Sequence, residues 1–90
     1  MPRVVVVGLG PGGPDLLTAA ATDAIARVPV RFVRTTRHPS VGVVEPATSF
    51  DEVYEQAARQ DDVYSSIVDA LVRAADEHGD VLYAVPGSPL

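Results

Sequence analysis

Two apolar runs, Arg3-Val4-Val5-Val6-Val7 near the start and Val81-Leu82-Tyr83-Ala84-Val85 near the end, each pass straight into a glycine- and proline-rich loop. The first loop reads Gly8-Leu9-Gly10-Pro11-Gly12-Gly13-Pro14, the second Pro86-Gly87-Ser88-Pro89-Leu90. Continuous apolar runs of this kind suit parallel strands buried on both faces. Two such strands set their loops, and the backbone groups in them, along one edge of a sheet. In open α/β sheets ligands bind in the crevice beyond the carboxyl ends of the strands. A small-molecule site, or half of one, is expected there.

The segments between the two runs complete an alternating pattern. Helical spacing from Asp15 to Arg27 puts Leu16, Leu17, Ala20, Ala21, Ala24, Ile25 and Val28 on one face. A second strand is expected over Val30–Arg34. The stretch from Thr35 to Ser49 reads as loop, with Pro39 and Pro46 and room for a short strand at Val41–Val44. Ser49 looks like an N-cap, with Glu52 three residues on completing a capping box, and Asp51 and Glu52 suit the positive end of the helix that follows. The helical signal reaches Ala58, pauses near Asp61 and resumes over Asp62–Glu77. There Val63, Ile67, Val68, Leu71, Val72 and Ala75 form an apolar stripe, and Gly79 ends it. Tyr54 and Tyr64 flank the pause and are expected to pack. Strands alternating with helices of this length predict βαβ units in an α/β fold: three layers around a mainly parallel sheet.

The spacing Gly8-x-Gly10-x-x-Gly13 also matches the dinucleotide fingerprint. That motif needs a helix starting inside the glycine run, its N-terminus facing a pyrophosphate. Here Pro11 and Pro14 interrupt the run, each lacking an N–H and each pushing its predecessor towards extended geometry. An acidic residue about 20 positions on should hold the ribose, yet the second strand ends in Val33-Arg34-Thr35-Thr36-Arg37. An arginine there leaves room for a 2′-phosphate, so a nucleotide-binding βαβ domain stands as an alternative.

Taken together, the motifs resemble a more specific family. Val7-Gly8-Leu9-Gly10-Pro11-Gly12 followed by Asp15-Leu16-Leu17-Thr18 is similar to the opening signature of the tetrapyrrole (corrin/porphyrin) methylases. Val85-Pro86-Gly87-Ser88-Pro89-Leu90 resembles that family's second signature. Arg34-Thr35 and His38-Pro39 resemble the form found in methylase-like domains fused to MazG-type nucleoside triphosphate pyrophosphohydrolases. The resemblance covers all 90 residues. It implies S-adenosylmethionine as cofactor, held in a cleft between an N-terminal and a C-terminal α/β domain. Pro86, Gly87, Ser88, Pro89 and Leu90 would lie against that cofactor. Gly10, Pro11 and Gly12, with Arg34 and His38, would line the neighbouring substrate cleft. Two positions depart from the pattern: Gly13 stands where an acidic or hydroxyl residue is often found, and Ser88 where many members have Asp.

Length agrees with half of such an enzyme. Ninety residues make one small domain, expected to be the N-terminal subdomain (residues 1–90) of a methylase-like domain that is truncated here. Chains of this size bury only about 60–65% of their unfolded surface. Yet 47% of the residues are hydrophobic and the mean hydropathy is +0.16, as expected of surfaces that more protein covers. The absence of cysteine excludes disulfides and thiolate metal sites. No signal-peptide pattern and no run near the ~20 apolar residues of a membrane span is present, so a soluble cytoplasmic protein is expected. Seven arginines and no lysine against 12 acidic residues give −5, which argues against nucleic-acid binding.

Single residues carry less. His38 could contact substrate or exchange a proton, or could be an ordinary loop histidine. Arg34 could grip a carboxylate or phosphate, or pair with Asp15 or a helix C-terminus. Asp15 is most simply the cap of the first helix. His78 suits the last turn of its helix, and the acidic stretch Asp51–Asp62 reads as a solvated helix face. No triad or metal-ligand spacing can be assembled. Methyl transfer requires neither, because the sulfonium already activates the methyl group and the protein chiefly aligns the reactants. The leading expectation is thus a fragment of an S-adenosylmethionine-dependent methyltransferase, inactive alone and lacking the C-terminal wall of its cleft. An alternative is a non-catalytic regulatory module attached to a MazG-type pyrophosphohydrolase domain. An uncovered sheet edge would favour a homodimer.

Overall fold

The computed structural model describes residues 2–10, 13, 17–38, 40–56 and 60–86. The valine run forms β1 (Val4–Gly8), and helix α1 (Ala19–Arg27) follows. Strand β2 is short (Arg31–Val33); a 3₁₀ turn at Val41–Val43 then leads to β3 (Thr48–Ser49). Helices α2 (Asp51–Gln56) and α3 (Gln60–His78) precede β4 (Val81–Val85). The four strands form one sheet in the order β1-β4-β2-β3, every neighbouring pair parallel. Val4 lies beside Val81 and Gly8 beside Val85, while Phe32 stands between Tyr83 and Thr48.

Parallel pairing requires both faces of the sheet to be covered, and two separate cores do so. On one face Ala21, Ala24, Ile25 and Val28 of α1 pack on Val7, Val33, Leu82 and Ala84, joined by Leu9 and Val44. On the other, Val63, Ile67 and Leu71 of α3 pack with Phe50 against Val4, Phe32 and Tyr83. Phe50 stacks on Phe32 at 5.5 Å and meets Tyr83 edge-on at 5.7 Å. Strand β4, central in the sheet, supplies Val81, Leu82, Ala84 and Val85 as buried residues. The three-layer α/β architecture expected from the sequence is the one observed.

Several local expectations are corrected. Helix α1 begins at Ala19, not Asp15, because the Thr18 hydroxyl accepts the Ala21 amide at 3.1 Å and caps it. Asp15 therefore cannot be its cap. Ala20, expected on the apolar face, is exposed. Val41–Val43 coils into a 3₁₀ turn instead of a strand, with Val44 N–H donating to Val41 O at 3.0 Å. Thr48–Ser49, read as loop, is the edge strand β3. Since α2 starts at Asp51, Ser49 lies one residue before the cap position; its hydroxyl accepts the Asp51 amide at 3.4 Å rather than one deeper in the helix. The α3 stripe divides. Val63, Ile67, Leu71 and Ala75 are buried, whereas Val68 and Val72 are exposed, and so is Tyr64. Gly79 ends α3 as expected, with φ +86° and its N–H on Ala75 O at 2.8 Å.

Candidate functional site on the carboxyl edge

All four strands point the same way, so the segments leaving their carboxyl ends share one edge. Leu9 follows β1, with its amide donating to Val85 O at 2.8 Å, and Gly10 follows it. Pro86 leaves β4. Arg34 leaves β2, its amide bonded to Ala84 O at 3.0 Å. Phe50 leaves β3, its amide donating to Val33 O at 3.1 Å. Gly10 has φ +72°, a left-handed conformation that favours a residue without Cβ.

His38 joins the loops. Ser40 N–H donates to His38 Nδ1 at 3.0 Å, which makes Nδ1 the acceptor and places the ring hydrogen on Nε2. Nε2 lies 2.7 Å from the Gly10 carbonyl oxygen and donates to it. Ser40 is fully buried, so one end of this strap is anchored inside the protein. In the sheet β4 separates β1 from β2. Strands lie about 4.8 Å apart, so the His38–Gly10 bond joins loops that start two strands apart, across the carboxyl end of β4.

A second cluster lies where β2 and β3 end. Thr36 donates to Asp51 Oδ2 through its amide at 3.0 Å and its hydroxyl at 2.7 Å. The Thr36 amide, then the Thr36 and Thr35 hydroxyls, hold the Asp51 carboxyl down at about 2. Arg37 lies 3.7 Å from Glu55, and the Thr35 hydroxyl accepts the Arg37 amide at 3.1 Å. Thr35, Arg37, Asp51 and Glu55 line a cleft of about 310 Å³. The polypeptide leaves β2 on the α1 side of the sheet and β3 on the α3 side, and between two such strands a doubly wound sheet opens a crevice. Sequence reasoning missed this cluster because it missed β3. Without that strand Asp51 reads as a residue on a solvated helix face.

Of the residues singled out from the sequence, Gly10, Arg34, His38 and Pro86 are on this edge. Gly10 and His38 are in contact. The half-buried Arg34 has no side-chain hydrogen bond or ion pair among the described residues. Pro11, Gly12, Gly87, Ser88, Pro89 and Leu90 lie outside the described residues, as does Asp15. His78 ends α3 and approaches Glu77 at 3.7 Å.

Comparison with known proteins gives the arrangement a context. The profile of the Tetrapyrrole (Corrin/Porphyrin) Methylases matches residues 3–90. The uncharacterized protein YabN of Bacillus subtilis (strain 168) is 38% identical over 91 residues. That alignment takes in 97% of this chain and 18% of the relative, so the chain spans less than a fifth of the protein it matches. No described helix is long and apolar enough to cross a membrane.

Proposed function

The chain belongs to the tetrapyrrole methylase family, and on that premise we propose that it is the N-terminal part of an S-adenosylmethionine-dependent methyltransferase. The observation that carries this reading is the strap at the carboxyl edge, where His38 holds Gly10 at 2.7 Å over the end of β4. It ties Gly10, which follows β1, to the segment that leaves β2.

The described residues fit a small-molecule cleft beside such a cofactor. Gly10, at φ +72°, offers main-chain groups with no Cβ in the way. Arg34 supplies a guanidinium suited to a carboxylate. Pro86 starts the loop through Leu90 that would lie against the cofactor, and Gly10, Pro11, Gly12, Arg34 and His38 would line the substrate cleft. When bound, the cofactor supplies an activated methyl group. The chain's task is to hold donor and acceptor in line and keep water out, which needs positioning rather than a nucleophile. With both ring nitrogens engaged, His38 serves as a positioning residue in this conformation.

A complete cleft needs two walls, and the carboxyl edge of this sheet would supply one of them. We place the other, and a MazG-type pyrophosphohydrolase domain, in longer relatives. Calorimetric titration of S-adenosylmethionine and its demethylated product into this chain and into the full-length B. subtilis relative tests the reading. Binding by the relative, and at least about tenfold weaker binding by this chain, is expected. Binding by neither would overturn it and favour a regulatory module that keeps the loops as scaffold.

A further inference from the structure

His38 joins two loops of the carboxyl edge through a ring whose nitrogens play opposite roles. Nδ1 accepts the Ser40 amide at 3.0 Å, and Nε2 donates to the Gly10 carbonyl at 2.7 Å. Only the neutral ring with its hydrogen on Nε2 does both, because a protonated imidazole has two donors and no acceptor. A second proton and the Ser40 amide therefore compete for one lone pair, that of Nδ1. Histidine is the side chain whose charge ordinarily changes between about pH 5 and 8.

The backbone around Ser40 makes the two bonds interdependent. Ser40 is fully buried and leads into the 3₁₀ turn, where Val41 N–H donates to His38 O at 3.1 Å and Val43 N–H to Ser40 O at 3.2 Å. The turn fixes the direction of the Ser40 amide, so a ring with a hydrogen on Nδ1 meets it donor to donor and has to turn away. One rigid ring carries both nitrogens. The same rotation that takes Nδ1 from Ser40 takes Nε2 from Gly10.

No carboxylate is in place to hold a charged ring among the described residues. On the segment that leaves β2 the charged groups are Arg34 and Arg37, both cations, and Arg37 is turned to Glu55 of α2 at 3.7 Å. Asp51 of α2 is engaged by Thr36. Glu45 follows the 3₁₀ turn and lies towards the start of β2, where Arg31 reaches its carbonyl. Leu9 and Gly10 after β1, Val41–Val43, and Val85 and Pro86 at the end of β4 carry no charge.

We propose that His38 is a proton-operated latch: the neutral ring locks Gly10 to the segment leaving β2, and a proton on Nδ1 releases both bonds together. The latch is closed on the alkaline side of the step and open on the acid side. Closed, it spans the carboxyl end of β4. Open, it frees the Gly10 carbonyl and both ring nitrogens for other partners at that edge. The proton acts because it binds only the open form, which is the differential affinity that any such shift of populations requires. No ligand is needed for the step, whichever molecule the edge takes.

NMR of the chain from about pH 8 to about pH 5 tests the latch. It reads the His38 ring nitrogens, the Gly10 carbonyl carbon and exchange of the Ser40 amide in the same samples. At the alkaline end Nε2 should carry the ring hydrogen. As the ring takes its second proton, Ser40 protection, referred to the intrinsic exchange rate at each pH, should fall by about tenfold or more. The Gly10 carbonyl should shift with the same midpoint. His38→Asn keeps an acceptor for an amide two residues on and does not titrate, so its Ser40 protection should stay constant across the range. His78→Gln, at the end of α3, should leave the step of the unmodified chain in place. A ring that stays neutral to about pH 5, a ring that charges while Ser40 and Gly10 are unmoved, or the same step in His38→Asn would overturn the proposal.

Discussion

His38 donates to the Gly10 carbonyl at 2.7 Å while its other ring nitrogen accepts the Ser40 amide at 3.0 Å. Two loops that leave strands β1 and β2 are thereby held as one unit above the end of β4. The strap is made of neutral hydrogen bonds to main-chain groups. Its strength depends on the shape and tautomer of the ring.

Replacing His38 by alanine should cost about 1–3 kcal/mol, the penalty for leaving partly buried hydrogen-bonding groups unmatched. The loss should be local as well as global. Amide exchange at Gly10 and Ser40 should accelerate more than exchange in β4. Hydrogen exchange followed by NMR, with a urea melt for the global value, checks both.

Asp51 links the start of α2 to the loop after β2, and its carboxyl is held at about 2 against an ordinary 3.8. Between those values the unfolded chain binds more protons than the folded one, so stability rises with pH. The contribution is fully present above about pH 4 and is lost as pH falls towards 2. Asp51→Asn should flatten this part of the stability-versus-pH curve, measured by urea denaturation at successive pH values.

Arg31 donates to three carbonyls: Nε to Val28 at 2.9 Å, and Nη1 to Val44 at 3.3 Å and Glu45 at 3.4 Å. It closes the negative end of α1 and pins the turn before β3 with one planar group. Arg31→Ala should destabilise by about 1–3 kcal/mol. Arg31→Lys should recover less than half of that, since one ammonium cannot serve both directions. Thermal melts of the two variants give the comparison.

Thr18 caps α1, and Thr18→Ala should cost about 0.5–2 kcal/mol. Thr18→Ser should restore most of it. Thr22, whose hydroxyl donates to Thr18 O at 3.1 Å on the exposed side, should tolerate alanine with a change within about 0.5 kcal/mol.

What was legible in the sequence follows from periodicity. The run from Val4 and the run from Val81 gave their strands to within a residue, and Gly79 marked the end of α3 because only a left-handed residue could close it. Strand β3 was not legible, since a pair of residues, Thr48 and Ser49, has no period to read; it is a strand because Phe32 and Val33 lie beside it. The start of α1 was misplaced because Asp15 and Thr18 are both good caps, and only packing chooses between them. Val68 and Val72 belonged to an apolar stripe wider than the sheet beneath it, a difference that spacing cannot reveal. On the carboxyl edge, sequence motifs pointed to Gly10, Arg34 and His38. The contact between Gly10 and His38 became visible only with the strand order, which inserts β4 between β1 and β2.

The most direct test of the account is a titration of this chain with S-adenosylhomocysteine followed by amide chemical shifts. Binding at the carboxyl edge should move Gly8, Gly10, Arg34, His38 and Val85, and leave Arg3 and Asp80 at the opposite edge unchanged. Shifts confined to the opposite edge, with the carboxyl edge unmoved, would contradict it.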